Sequence, residues 1–144
     1  MPKSFTAQIE DFAALTKKNL RYVAAESSQD VLEAAQTPQL AISKGASSFV
    51  EGKIPVAEST LINSLSVDGG GEGDDSYVVA IAGFQIGDVM EFAWSARYAL
   101  RIEAGFTGTD SLGRRYNQPG RHFVGKNAER FSDFVAQHAA EVRT

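Results

Sequence analysis

From residue 3 to residue 37 the chain carries neither glycine nor proline, the two residues that punctuate backbone structure most strongly. Within that stretch Phe5, Ile9, Phe12, Leu20, Val23 and Val31 recur at helix-compatible spacing. The pattern predicts a helix from residue 5 to about residue 36. Unbroken, it would be roughly 45 Å long at 1.5 Å per residue. Its apolar stripe reads as a core-facing surface rather than a partner-binding groove. The polar run Glu26-Ser27-Ser28-Gln29-Asp30 is the place where a bend or a weakened apolar stripe is expected.

The remainder is shorter-ranged. Residues 37–60 are broken by Pro38, Gly45, Gly52 and Pro55, with Ser47-Ser48 adding turn chemistry. Such a length without structure of its own is uncommon in a compact domain, so an interaction loop or a segment that orders on assembly is expected. Leu61, Ile62, Leu65 and Val67 suggest a weak strand, followed by an exposed, mobile acidic glycine run over 68–75. Tyr77, Val79 and Ile81 alternate, as do Met90, Phe92 and Trp94. This predicts a prominent β-hairpin with arms Ser76–Ala82 and Asp88–Trp94. Residues 95–104 fit strand or helix equally, because Tyr98, Leu100 and Ile102 alternate while Tyr98 and Ile102 are also four apart. The segment 105–121, with Gly105, Gly108, Gly113, Pro119 and Gly120, reads as a third flexible loop. A last helix is expected from about Gly125 to Val142, with Ala128, Phe131, Val135, Ala139 and Val142 on one face. The fold class is therefore α+β: an antiparallel sheet packed by a long N-terminal and a C-terminal helix. The whole chain, 1–144, is expected to form a single domain.

Chemistry-bearing residues are scarce. There is no cysteine, which excludes disulfides and thiolate metal sites. The two histidines, His122 and His138, belong to no HExxH pair, and His122, between Arg121 and Phe123, reads as a surface or capping residue. The Gly69–Gly73 run lacks Gly-Lys-Ser/Thr, and Asp68, Glu72, Asp74 and Asp75 would repel a phosphate. Thr109-Asp110-Ser111-Leu112-Gly113 is a faint echo of a GDSL-type nucleophile block, without a matching Asp-x-x-His downstream, and suits a turn better. No catalytic residue, metal ligand or cofactor site is expected. No apolar run approaches the ~20 residues of a membrane span. The N-terminal residues lack the apolar segment of a signal peptide, so cytoplasmic synthesis is expected.

Charge is uneven along the chain. Residues 1–96 hold 6 Lys and Arg against 13 Asp and Glu, a net −7, while residues 97–144 hold 8 against 5, a net +3. Opposed charge of this kind favours docking between complementary faces. The basic set Arg97, Arg101, Arg114, Arg115, Arg121, Lys126 and Arg130, interleaved with Tyr98, Phe106, Tyr116 and Phe123, also admits a sequence-tolerant nucleic-acid-binding module over 97–130. Against that stand Glu103, Asp110 and Glu129 within the patch and a sequence pI near 5.2.

Three collinear stretches carry a family resemblance. Gly52-Lys53-Ile54-Pro55-Val56-Ala57-Glu58-Ser59-Thr60-Leu61-Ile62-Asn63-Ser64-Leu65 resembles a "Pro-Val-x-Thr-Gly-x-Leu-x-x-Ser-Leu" segment of phage neck and minor tail proteins. Trp94-Ser95-Ala96-Arg97-Tyr98-Ala99-Leu100-Arg101-Ile102-Glu103-Ala104-Gly105 is similar to that family's "Tyr-Ala-x-x-Val-Glu-x-Gly" block. Pro119-Gly120-Arg121-His122-Phe123-Val124 leads into the last helix as its "Arg-x-Phe-(Leu/Val)" block does. Ser59-Thr60 stands where the family has Thr-Gly, and Ala104 replaces a more typical residue before Gly105. The resemblance implies a structural subunit of a long-tailed bacteriophage, a neck or tail-completion protein, made in the host cytoplasm and built into the virion. It implies a ring of copies, with sixfold symmetry the expectation, between head-connector and tail-tube proteins. DNA would pass at most transiently through the channel. No catalytic residue and no cofactor come with it. On that reading Arg97, Arg101, Arg114, Arg115 and Arg121 are the expected interface residues, with Tyr98, Glu103, Gly105 and Phe123 as their supports.

Overall fold

The structure, a computed structural model, describes residues 2–40, 50–56, 59–109 and 111–143. Helix α1 spans Phe5–Ala35. The Ser4 hydroxyl starts it by accepting the Ala7 N–H at 3.1 Å, one of the donors a helix leaves unsatisfied at its first turn. It runs unbroken through residues 26–30, so of the two expectations for that polar run the interruption does not occur. Within that run Ser27 is fully buried, its hydroxyl without a partner among the described residues. Only the second half of α1 enters the core. Phe5, Ile9, Phe12 and Leu20, expected inside, are 77%, 52%, 69% and 55% exposed.

Three two-stranded ladders follow. Strands β1 (Pro38–Leu40) and β2 (Ile54–Val56) pair in parallel, within a segment that reads as structureless in sequence; residues 41–49 and 57–58 of it lie outside the described residues. Strand β3 (Leu65–Val67) pairs antiparallel with β4 (Phe92–Trp94), with Leu65 opposite Trp94. The run between them is helix α2, Ser76–Ala82, not the arm of a hairpin. Tyr77 and Ile81, four apart, are buried, whereas Val79, the middle member of the apparent alternation, is 80% exposed. Arg21 secures the end of α2: Nε and Nη2 donate to the carbonyls of Phe84 and Ala82, each at 2.7 Å, supplying charge-assisted partners to the end of a helix. The acidic glycine run is tied back as well. The Asp68 N–H donates to the Glu91 carbonyl and its carboxylate accepts the Glu91 N–H.

Residues 99–104 resolve as helix α3, Ala99–Ala104. The antiparallel hairpin of this fold is β5 (Gly105–Thr109) with β6 (Arg115–Pro119), inside the stretch that sequence reads as loop. The C-terminal helix is interrupted at Glu129-Arg130, giving α4 (Gly125–Ala128) and α5 (Phe131–Val142). Of its expected apolar face Phe131 is 42% exposed, while His138 is buried against α1.

The interior has two apolar clusters. One gathers Ala25, Leu32, Leu65, Tyr77 and Ile81 where α1 meets α2 and β3. The other gathers Ile54, Leu61 and Phe123 beneath α3. Trp94 packs against both. Its indole N–H donates to the Gln36 side-chain oxygen at 2.9 Å, and the Gln36 amide nitrogen donates to the carbonyls of Ile62 and Asp74, each at 2.9 Å. A buried amide satisfied on both its ends holds the two clusters in one register.

Candidate functional site

The blocks 94–105 and 119–124, far apart in sequence, close on each other to form the base of the hairpin. The Arg121 N–H donates to the Ile102 carbonyl at 2.7 Å and the His122 N–H to the Glu103 carbonyl at 3.1 Å. Contact there is too close for side chains. A Cβ on Gly120 would lie 2.5 Å from the Glu103 carbonyl oxygen, and one on Gly105, at φ +88°, would lie 2.7 Å from the Gln118 oxygen and the Gly120 nitrogen. Glycine is required at both.

The Glu103 carboxylate then turns to the next element. It accepts the N–H groups of Val124 and Gly125 at 3.0 and 3.2 Å, anchoring the start of α4 with a negative charge where helix N–H groups point outward. Phe123, 1% exposed, is driven into the second cluster and meets Trp94 edge to face, ring centroids 5.3 Å apart. Asn127 ties in residue 52, donating to the carbonyls of Gly52 and Phe123 at 2.8 and 2.7 Å. Of the four expected supports, Glu103, Gly105 and Phe123 thus build the base. Tyr98, directly before α3, is 42% exposed.

The five arginines are not one patch. Arg97, Arg101 and Arg121 lie at the base, next to or within α3 and just after β6; Arg114 and Arg115 lie at the far end of the hairpin. The length of β6, about 13 Å at ~3.3 Å per residue, separates the two groups. Arg101 stacks its guanidinium 4.2 Å above the Phe106 ring, a cation–π contact that stiffens the joint between α3 and β5. Arg121 is half-buried, and burial lowers its pKa. Arg97, Arg114 and Arg115 are exposed. Among the interleaved aromatics, Phe123 is interior and Phe106 is covered by Arg101 on one face. The Tyr116 side chain and residue Asp110 lie outside what the structure describes.

A second constellation joins α1 to α5. His138, 6% exposed, places Nε2 2.6 Å from the Asp30 carboxylate and Nδ1 3.1 Å from that of Glu141. The Tyr22 hydroxyl donates to the same Glu141 oxygen at 2.6 Å. Both ring nitrogens face groups that only accept when ionised, an arrangement the doubly protonated ring satisfies. The hydrogen bond to Asp30, with that to Glu141, raises the His138 pKa against the opposing pull of burial. The Tyr22 hydroxyl, then His138, lowers the Glu141 pKa. In sequence only the Glu141 half, three residues away, is visible; Asp30 lies 108 positions off.

An open cleft of about 700 Å³ lies between the end of α1, residues 51–53 and α4–α5. Its rim mixes Glu51, Glu129 and Asp133 with Lys53, Lys126 and Arg130, and so favours no one charge of ligand. His122, held at φ +50°, has Nε2 3.8 Å from Glu51 near the same place. Among the described residues no group of three or more His, Asp or Glu is placed to hold a metal ion, and no helix is long and apolar enough to cross a membrane. Compared with protein-family models, curated proteins and solved structures, the chain matches none.

Proposed function

We propose that this chain is a structural subunit of the neck or upper tail of a long-tailed phage or phage-derived particle, acting as one copy in a ring that joins the head connector to the tail tube. The observation that carries the reading is the hairpin base. The stretches that resemble neck and tail-completion proteins, 94–105 and 119–124, are the ones whose backbones interlock and whose Glu103 and Phe123 lock the unit to α4 and the core. From that base the hairpin holds Arg114 and Arg115 out into solvent. A ring contact is heterologous, one face of a copy meeting a different face of the next. Here the arginine-bearing hairpin is one face, and the acidic surface of the preceding two-thirds, net −7 over residues 1–96, is its complement. The work is mechanical rather than catalytic. Nucleic-acid binding draws less support, because two of the four aromatics that would stack bases are engaged within the chain.

The test is the double variant Arg114→Glu/Arg115→Glu in assembling particles. Heads and tails that fail to join, with the purified variant keeping its circular dichroism spectrum and melting temperature, is the expected result. Normal joining and normal infectivity would refute the interface. A micrograph of particles bearing a labelled copy places it at the neck or upper tail, and label found elsewhere would refute the role itself.

A further inference from the structure

Helix α5 is fastened to the molecule by a polar contact rather than by a core. It packs against α1, and every other described element touches it slightly or not at all. His138 is its one buried residue, whereas its apolar residues Phe134, Val135, Ala139 and Val142 are only half-buried. None of α5 belongs to either apolar cluster. A surface helix ordinarily docks through an apolar stripe; the centre of this contact is an imidazole between the carboxylates of Asp30 and Glu141. The preceding helix is fixed differently. Glu103 accepts N–H groups at the start of α4, Asn127 donates to the Gly52 and Phe123 carbonyls, and Phe123 fills the second cluster. So α4 belongs to the body, and the break at Glu129-Arg130 is a joint about which α5 can turn.

The contact closes in one protonation state. With both ring nitrogens protonated, Nε2 donates to Asp30 and Nδ1 to Glu141, whose same oxygen also accepts the Tyr22 hydroxyl. A neutral ring keeps one proton and turns a lone pair toward one of the two carboxylates, at a side chain that solvent barely reaches. The titratable groups facing the ring are Asp30 and Tyr22 from α1 and Glu141 from α5 itself. Lys18 shares a surface hollow with Tyr22 and Glu141. We propose that His138 is the latch of a detachable arm: loss of its second ring proton lets α5 swing away from α1 about Glu129-Arg130, uncovering the α1 face that carries Tyr22 and Asp30, while α4 and the two apolar clusters stay folded. The hydrogen bond to Asp30, foremost, raises the His138 pKa. The latch is therefore closed below the ordinary histidine value near ~6.5 and opens as pH rises through the folded one. The Tyr22 hydroxyl is not the trigger, because its hydrogen bond to Glu141 raises its pKa above the usual tyrosine value.

The arm is a property of the single chain, so it stands or falls independently of the role in the phage neck. Amide hydrogen exchange of the whole chain provides the test, read by mass spectrometry and corrected for the intrinsic pH dependence of exchange. It is measured at about pH 6 and about pH 9, either side of the histidine range. A released helix the length of α5 is marginal in water, so its amides lose protection. Protection over Phe131–Val142 is expected to fall roughly tenfold or more at the higher pH, the worth of one hydrogen bond to a charged group. Protection over α2 and β3, in the first cluster, is expected to hold, the mark of a local opening. His138→Gln is expected to show the weaker α5 protection at both pH values, with α2 and β3 as in the wild type. Equal α5 protection at the two pH values, a fall shared by α2 and β3 in either protein, or a pH dependence retained in His138→Gln would each overturn the proposal.

Discussion

Replacing Phe123 by alanine tests whether the smaller cluster supports the whole fold. Phe123 is 1% exposed, one of three fully enclosed apolar residues there, and its ring meets the edge of Trp94 at 5.3 Å. Truncating a buried phenylalanine costs about 3–5 kcal/mol, part transfer and part cavity. Here the cavity is walled by Ile54, Leu61 and Trp94. Trp94 is held in place by Gln36 on its other side and cannot follow the missing ring, so collapse is limited and about 4 kcal/mol is expected. That is a large share of the ~5–15 kcal/mol a domain possesses. It corresponds to a fall in melting temperature on the order of 12–16 °C for a chain of this size. The assay is urea unfolding followed by the fluorescence of the single tryptophan and by far-ultraviolet circular dichroism. Both midpoints should fall together with the slope unchanged. Leu100→Ala, at a site 76% exposed, should move them by less than ~0.5 kcal/mol. A Phe123→Ala loss below ~1 kcal/mol would refute the packing argument. A fluorescence transition separating from the dichroism would refute the coupling of the clusters through Trp94.

Two further outcomes follow from the geometry. Gly120→Ala drives a Cβ to 2.5 Å from the Glu103 carbonyl oxygen and 2.7 Å from the Ala104 carbonyl carbon; backbone must move, and a loss of about 1–3 kcal/mol is expected, against none for Gly125→Ala, whose Cβ meets nothing within 4 Å. Equal melting temperatures for the two variants would count against the close crossing. The His138 clasp makes stability depend on pH. Its folded pKa is raised, so its contribution is complete below the ordinary histidine value near ~6.5 and fades as pH rises through the folded value. Glu141 works the other way: its folded pKa is lowered, so its contribution is present above the ordinary carboxylate range and fades as pH falls through the folded value. The groups around the imidazole are Asp30 and Tyr22 from α1 and Glu141 from α5. The urea midpoint of the wild-type chain should therefore decline from mildly acidic to alkaline pH more steeply than that of His138→Gln, and parallel profiles would sink the assignment.

What the sequence made legible was local. The absence of glycine and proline from 3 to 37 sufficed for α1, and the later apolar spacing sufficed for a C-terminal helix. Where period was the only guide it misled. Tyr77, Val79 and Ile81 alternate as a strand would, but Tyr77 and Ile81 also satisfy a spacing of four. Arg21, 61 and 63 residues from the carbonyls it binds, decides for the helix. The glycines of 105–120 signal a loop by composition. Gly105 and Gly120 are instead sites of close backbone approach at the base of a hairpin, a distinction that depends on which backbone lies opposite. The resemblance singled out Glu103, Gly105 and Phe123 together, yet no sequence pattern tells that one caps α4, one permits a crossing and one fills the core. The stripe from Phe5 to Leu20 shows the same limit: periodicity marks an apolar face, not what lies against it.

Both projections of this chain depend on the body for their order. An isolated helix of the length of α1's exposed half is marginal in water, because its first turn is costly to nucleate. Here nucleation is already done in the buried half, and the exposed turns extend it residue by residue to the Ser4 cap. A lone two-stranded hairpin is marginal for the same kind of reason. β5–β6 is held at its base by the crossing at Gly105 and Gly120 and the stack of Arg101 on Phe106. Each projection is therefore anchored at its root by the body of the chain. Packing changes at the root then decide whether there is an ordered projection at all.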